Sequence, residues 1–196
     1  MIDHNQGKLI LRTGRIACYP VAVNYKIRAT TGADAEAIQS VAMRAWENTY
    51  RDLVPEASRR EYLDKAYSLD WLRQCHQRSD LRGFLLDQDG QPAGFAMLSL
   101  GDPAEDPPGA VLRSLYLLPE AQQQGQGKKM LDAVIAAARA AGAPWLWVAV
   151  HGELKAARAW YEKNGFAYDG PAETTMGHEK VKMAVYRLPL HHYAKH

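Results

Sequence analysis

Cysteine is scarce in this chain. Its two thiols, Cys18 and Cys75, lie far apart and match neither a disulfide framework nor a metal-binding knuckle, so a reducing compartment is expected. Long apolar runs are missing too: none approaches the roughly 20 residues that a membrane-spanning helix needs. The first residues, MIDHNQGKLILR, lack a secretory core and cleavage pattern. These absences predict a soluble, cytoplasmic protein with no membrane partner. Charge of one sign is also lacking, since 24 Lys and Arg face 22 Asp and Glu for a net charge of +2. Nothing therefore points to a nucleic-acid partner. No HExxH or paired Cys/His spacing accompanies the terminal His191, His192 and His196, and no metal is expected. What is present is an ordinary globular composition, 47% hydrophobic and 23% charged over 196 residues, enough for one domain with a substantial core.

Residues 1–24 differ in texture from the rest. Two short apolar runs, Lys8–Arg12 and Arg15–Tyr19, flank Thr13-Gly14, and a hairpin and an unordered leader both fit. Regular patterning starts at Tyr25–Ala29, a short strand. Thr31 or Asp34 then caps a helix that carries Ala37, Ile38, Val41, Ala42 and Ala45 on one face and ends near Tyr50. Pro55 opens a second helical segment, and Leu69–Gln77 reads as a third. Gly83–Asp87 and Ala93–Leu100 form a hairpin around an Asp-Gly turn. Gly101–Gly109 is a surface loop. A strand follows at Ala110–Leu118, then a helix at Lys128–Ala141 that stops at Gly142. Trp145–Val150 is apolar enough for an interior strand. A helix at Ala156–Lys163 and strands at Phe166–Asp169 and Val181–Leu188 complete the order. This pattern predicts a mixed α/β (α+β) fold with a mostly antiparallel sheet and helices on both faces, over residues 25–190, followed by a tail at 191–196.

The run Gln122–Lys128, QQQGQGK, stands where an apolar strand gives way to a helix. The first turn of a helix leaves N–H groups unpaired and carries about half a positive charge, which attracts anions. Glycine lets such an anion approach closely. A P-loop is excluded, because Gly127-Lys128 has Lys129 next and no glycine at position 122. A dinucleotide fingerprint is excluded as well, since Met130 stands where the third glycine belongs. On the glycines alone, a plain strand-to-helix connection stays open beside an anion cradle.

The wider context adds a resemblance. Leu115-Tyr-Leu-Leu-Pro-Glu120 precedes Gln122-x-x-Gly125-x-Gly127. After one helix and one strand comes Ala157-Arg-Ala-Trp-Tyr161-Glu-Lys-Asn-Gly165-Phe166. In order and spacing these segments resemble the GNAT superfamily of acyl-CoA-dependent N-acyltransferases, over about residues 25–188. The resemblance implies acetyl-CoA as co-substrate and acetyl transfer to a primary amine, small or polyamine-like, by direct attack in a ternary complex. It implies that the backbone of Leu115, Tyr116 and Leu117 pairs with the pantetheine arm. The amides of Gln122, Gln123, Gln124, Gly125, Gln126, Gly127 and Lys128 would surround the pyrophosphate, with the Lys128 charge added. Tyr161 falls on the family's general acid.

Several positions depart from the family pattern. Val111 and Ala149 stand where acidic residues often serve as base, Leu154 replaces a cofactor-contacting Asn, and Gln123 replaces the first loop glycine. Proton acceptance is then assigned to His151, just past a strand end, with Glu47 as second candidate; surface roles for both stay open. Trp46 and Tyr50, at i and i+4 on one helix face, are candidates for the acceptor wall, and packing against the sheet fits them equally. The acidic loop Asp102–Asp106 would attract a cationic amine. A degenerate acyl-CoA sensor and a protein-modifying acyltransferase remain as rival readings, and a homodimer stays open.

Overall fold

Among the described residues, ten strands and five α-helices follow one another: β1 (Ile2–Asp3), β2 (Lys8–Ile10), β3 (Ile16–Cys18), β4 (Tyr25–Ala29), α1 (Ala35–Tyr50), α2 (Glu56–Ala66), α3 (Leu69–Cys75), β5 (Leu81–Gln88), β6 (Gln91–Ser99), β7 (Ala110–Leu117), α4 (Gln126–Ala140), β8 (Trp145–His151), α5 (Lys155–Lys163), β9 (Ala167–Met176) and β10 (Glu179–Pro189). The structure is a computed structural model that describes the backbone of β1–β3 and residues 23–101 and 109–190. The acidic loop at 102–106 and the terminal histidines lie outside the described residues. Strands β1–β3 form a small antiparallel sheet in which Lys8, Leu9 and Ile10 pair with Cys18, Ala17 and Ile16. The other seven form one sheet in the order β4-β5-β6-β7-β8-β10-β9.

The large sheet is antiparallel except between β7 and β8, which run parallel. A parallel pair needs a crossover connection, and α4 supplies it. Helices cover both faces. On one side α1 buries Ile38, Val41, Ala42 and Ala45, the stripe its spacing predicts, against Leu85, Phe95 and Met97. On the other, Met130, Leu131, Val134 and Ala138 of α4 pack on Leu98, Leu112, Leu146 and Val148. The fold is therefore the mixed, mostly antiparallel α/β sheet with helices on both faces. No helix among the described residues is long and apolar enough to cross a membrane.

One irregularity in β7 matters more than the rest. Met97 pairs with Ser114 and Leu98 with Leu112, so Arg113 is an extra residue, a β-bulge. Side chains alternate along a strand, and an extra residue reverses the phase. Before the bulge, Leu112 faces α4; after it, Leu115 and Leu117 do, while Tyr116 faces α1. The β7–β8 ladder also ends at the bulge. It joins Ala110, Val111 and Leu112 to Leu146, Trp147 and Val148, although β7 runs on to Leu117 and β8 to His151. The two strands part there, and the β8-side edge of Leu115–Leu117 has no strand partner among the described residues.

The last two strands are longer than the sequence pattern suggests. β9 runs on to Met176, and β10 begins at Glu179. Gly170-Pro171 reads as a loop in isolation, but β9 is the sheet's edge strand, where a missing N–H is tolerated. At the opposite edge, Arg28 ties β4 and β5 to the start of α1. It donates to both carboxylate oxygens of Asp34 at 2.9 and 2.7 Å and to Asp87 at 2.9 Å. Asp34 also accepts from the Thr31 N–H and hydroxyl, so its side chain turns back into the turn rather than capping α1.

Candidate active site

The loop between β7 and α4 is held by its own glutamines. Gln122 Nε2 donates to the Leu117 carbonyl at 2.9 Å and Gln124 Nε2 to the Glu120 carbonyl at 3.0 Å. Tyr25 Oη donates to Gln124 Oε1 at 3.0 Å. These bonds fix the loop while its amides stay open. Among the described residues no acceptor engages the N–H groups of Gln123, Gln124, Gly125, Gln126, Gly127 or Lys128. The two glycines serve different ends. Gly125 takes φ 74° as the residue before α4, with open space around it, so the dihedral requires it. At Gly127 a Cβ would come 3.3 Å from the Leu117 side chain and 3.5 Å from Trp160, a tight fit to which Leu117 would have to yield by a few tenths of an ångström. Gln123 sits at φ 57°, a left-handed conformation that costs a non-glycine residue about 1–2 kcal/mol. Gln126 is buried, and its Oε1 has no hydrogen-bond partner. Lys128 pairs with Asp132 one turn along α4. Both are half exposed, and such pairs are worth under about 1 kcal/mol, so the ammonium is free to turn to another anion.

Where β7 and β8 part, side chains from both faces of the sheet meet. Tyr161 of α5 is 7% exposed, fixed edge-on between Trp160 and Phe166 at centroid distances of 5.0 and 5.2 Å. No hydrogen-bond partner for its hydroxyl is found among the described residues. Burial, and then the neighbouring Tyr50 phenol, push its pKa up, so it stays protonated at neutral pH. His151 is buried and lies 6.0 Å from Tyr50, ring to ring. Its Nδ1 accepts the Glu153 N–H at 3.2 Å, and burial lowers its pKa, so the ring is neutral with its proton on Nε2.

On the α1 side of this split lies a cavity of about 750 Å³. Six aromatic residues line it: Trp46, Tyr50, Tyr62, Tyr67, Trp71 and Tyr116. Trp46 stacks on Tyr62 at 4.5 Å and leans on Tyr50 at 4.3 Å. The Tyr67 and Ser114 hydroxyls are hydrogen-bonded at 2.8 Å. Burial pushes the phenols of Tyr50, Tyr62, Tyr67 and Tyr116 up as well. Val111 and Ala149 reach the same cavity and bring no carboxylate to it.

Trp46, Tyr50 and Tyr116 thus share one cavity wall, with His151 against Tyr50 and Tyr161 near it. Glu47 is not brought there. It opens onto a different groove between α1 and α2, where Arg59 at 2.9 Å and Arg51 at 3.0 Å hold its pKa down. Sequence reading missed Tyr62, Tyr67, Trp71, Arg113 and Ser114. A signal that could have found one of them is the i, i+4 spacing of Tyr62 and Ala66, which puts both on one face of α2.

The comparisons with known proteins agree with one another. The model of the acetyltransferase (GNAT) family matches residues 41–166. Uncharacterized N-acetyltransferases of Mycobacterium tuberculosis and Mycobacterium bovis are 28% identical over 159 residues, which is 79% of this chain and 98% of theirs. Among solved structures, the PaiA N-acetyltransferase of Thermoplasma acidophilum in complex with coenzyme A has a TM-score of 0.71 at 24% identity, covering 85% of this chain and 99% of that one. A ribosomal-protein-alanine N-acetyltransferase from Brucella melitensis has a TM-score of 0.64 at 23% identity, covering 84% and 99%. At these identities the structural likeness is one of fold.

Proposed function

The chain belongs to the acetyltransferase (GNAT) family, and from that membership we propose that it transfers the acetyl group of acetyl-CoA to a primary amine of a small molecule, by direct attack in a ternary complex. The observation that carries this reading is the join of two features at the end of β7 that are unpartnered among the described residues: a strand edge at Leu115–Leu117 and, next in sequence, six amides from Gln123 to Lys128. A strand edge suits the amide-bearing pantetheine arm, and a set of pre-aimed N–H dipoles suits a pyrophosphate. Gln122 and Gln124 hold the loop, and Lys128 adds a charge to its far side.

Acetyl-CoA supplies an activated thioester; the chain supplies geometry and protons. Backbone N–H groups along Leu115–Leu117 lie where negative charge develops on the thioester oxygen, a place where fixed donors contribute strongly to rate. The amine must lose a proton before it attacks, because an alkyl ammonium has a pKa of about 10. With no carboxylate at Val111 or Ala149, that proton goes to neutral His151, directly or through water. It arrives at Nδ1 and displaces the long bond from the Glu153 amide. As the N–C bond forms and the C–S bond breaks, Tyr161 donates its proton to the departing thiolate. The burial that raises the Tyr161 pKa also raises that of a thiol in the same site, which keeps the transfer close to balanced.

Trp46 and Tyr50 wall the acceptor cavity. The acetyltransferase unit is residues 25–190, flanked by 1–24 and 191–196. Few cysteines and the lack of a membrane-crossing helix among the described residues suit a cytoplasmic enzyme.

Release of CoA across a panel of amines, with Tyr161→Phe beside the natural chain, tests this reading. The variant is expected to lose about 10²–10⁴-fold in kcat. An unchanged rate removes the acid role from Tyr161. Binding of acetyl-CoA without CoA release for any amine or peptide points instead to an acyl-CoA sensor.

A further inference from the structure

The family membership leaves the class of amine open, and the charges on the cavity wall narrow it. Three charged side chains reach the wall: Lys65, Arg113 and Glu173. Lys65 is already paired with Glu61 at 2.7 Å. Glu173 lies exposed on β9; it makes no ion pair among the described residues, and Lys182 of β10 is its cross-strand neighbour. Arg113 is different. No carboxylate among the described residues pairs with it, and nearby Asp80 is held by both arms of Arg78 at 3.0 and 2.6 Å. Among the described residues the wall therefore presents one cation without a carboxylate partner, the exposed Arg113, whose charge reaches the Tyr62 phenol.

Its placement is built into the strand. Arg113 is the bulged residue of β7, and bulges recur where a strand must aim a side chain into a site. The same insertion lets Arg113 and Ser114, adjacent in sequence, both line the cavity. Arg113 also lies two to four residues before Leu115–Leu117, about 7–13 Å along the strand from the segment assigned to the thioester. We infer that the acceptor is an amine with an apolar or aromatic body and an anionic group at its far end, which Arg113 binds. Its ammonium end lies at the β7–β8 split and its body lies among the rings of Trp46, Tyr62 and Trp71. This rests on the acetyl-transfer reading above and names the substrate class of that site.

A polyamine is the contrasting occupant. The aromatic rings attract the ammonium that every such acceptor carries, so that attraction does not favour a polyamine over an amine with an acid group. A second and third ammonium would face Arg113, and the one acid of the wall, Glu173, has Lys182 as its cross-strand neighbour; like charges across a contact select against a partner. An acid group, by contrast, gains a charge-assisted and bidentate contact with a guanidinium.

The test compares kcat/KM for phenethylamine, para-(aminoethyl)benzoate and spermidine, read as CoA release, in the natural chain and in Arg113→Gln and Arg113→Lys. The natural chain is expected to prefer the benzoate over phenethylamine by about tenfold or more. That ratio should fall to about one in Arg113→Gln and be partly kept in Arg113→Lys, with CoA affinity as the check that each variant is folded. A ratio near one in the natural chain, a ratio untouched by Arg113→Gln, or spermidine as the best substrate overturns the inference while the acetyl-transfer reading stands. No CoA release from any amine overturns both.

Discussion

At the scale of single residues, the site depends on conformations that ordinary side chains resist. Gly125 and Gly127 are two residues apart, yet one is required by its dihedral and the other sits close against its neighbours. Alanine should therefore hurt at Gly125, while at Gly127 the tight contact with Leu117 opposes the helix propensity that alanine gains. Gly125→Ala is expected to cost about 1–2 kcal/mol of stability and to weaken CoA binding, and Gly125→Asn should recover much of both, because asparagine tolerates left-handed backbone. At Gly127 asparagine should be worse than alanine, since space is what is missing. Denaturant melts and CoA titrations of the four variants check this; equal rescue by asparagine at both positions would contradict it. His151 gives a second residue-scale expectation. As a base it must be unprotonated, so kcat/KM should fall as pH drops through its pKa, which burial holds below the ordinary histidine value. In His151→Gln that acid limb should disappear and the rate should climb with pH as the free amine becomes available. An identical profile in both proteins removes His151 from proton transfer.

At the scale of elements, what was legible in the sequence is what is local. The α1 stripe, the β5–β6 hairpin and the glycine-bearing start of α4 each repeat a pattern within one segment. The bulge at Arg113 does not, because two residues opposing one is a property of β7 and β6 together. The cavity was illegible for a similar reason. Its wall takes Trp46 from α1, Tyr62 from α2, Trp71 from α3 and Tyr116 from β7, and no spacing rule joins them. β9 runs past Asp169, where the sequence pattern ends it, because edge position, which excuses Pro171, is a tertiary fact. The start of α1 shows an element fixed by one ion pair. The Arg28 guanidinium holds the Asp34 carboxyl well below the ordinary aspartate range. A carboxylate with a depressed folded pKa stabilises above its unfolded value of about 4 and loses that contribution as pH falls toward its folded pKa. Asp34→Asn should thus cost about 2 kcal/mol near pH 7. The gap between variant and natural chain should narrow below about pH 4. A gap that stays constant from pH 7 to pH 3 in urea melts would show that the charge of Asp34 is not what matters.

At the scale of the whole molecule, the position of the site follows from connectivity. β7 and β8 are the one parallel pair in the large sheet, so the chain must cross over between them, and α4 then begins beside the end of β7. The loop amides, the open strand edge and the aromatic cavity therefore converge at one end of one strand. The same geometry makes the ladder between the two parts of the sheet short, three residues on each side. A ligand that lies along the open edge and on the loop contacts both α4 and the split. It should stabilise the fold by an amount set by its occupancy, about 2.7 kcal/mol when CoA stands at a hundred times its Kd. For a chain of this size that corresponds to roughly 5–11 °C in Tm. The location of the effect is as informative as its size. The N–H groups of Gln123–Lys128 have no acceptor among the described residues without ligand, so their hydrogen exchange should be fast in the free protein and slow with CoA. Exchange within α2, which forms the far wall of the acceptor cavity, should change little. Protection spread evenly over all helices, or a Tm indifferent to CoA, would mean that the cofactor does not lie along this edge.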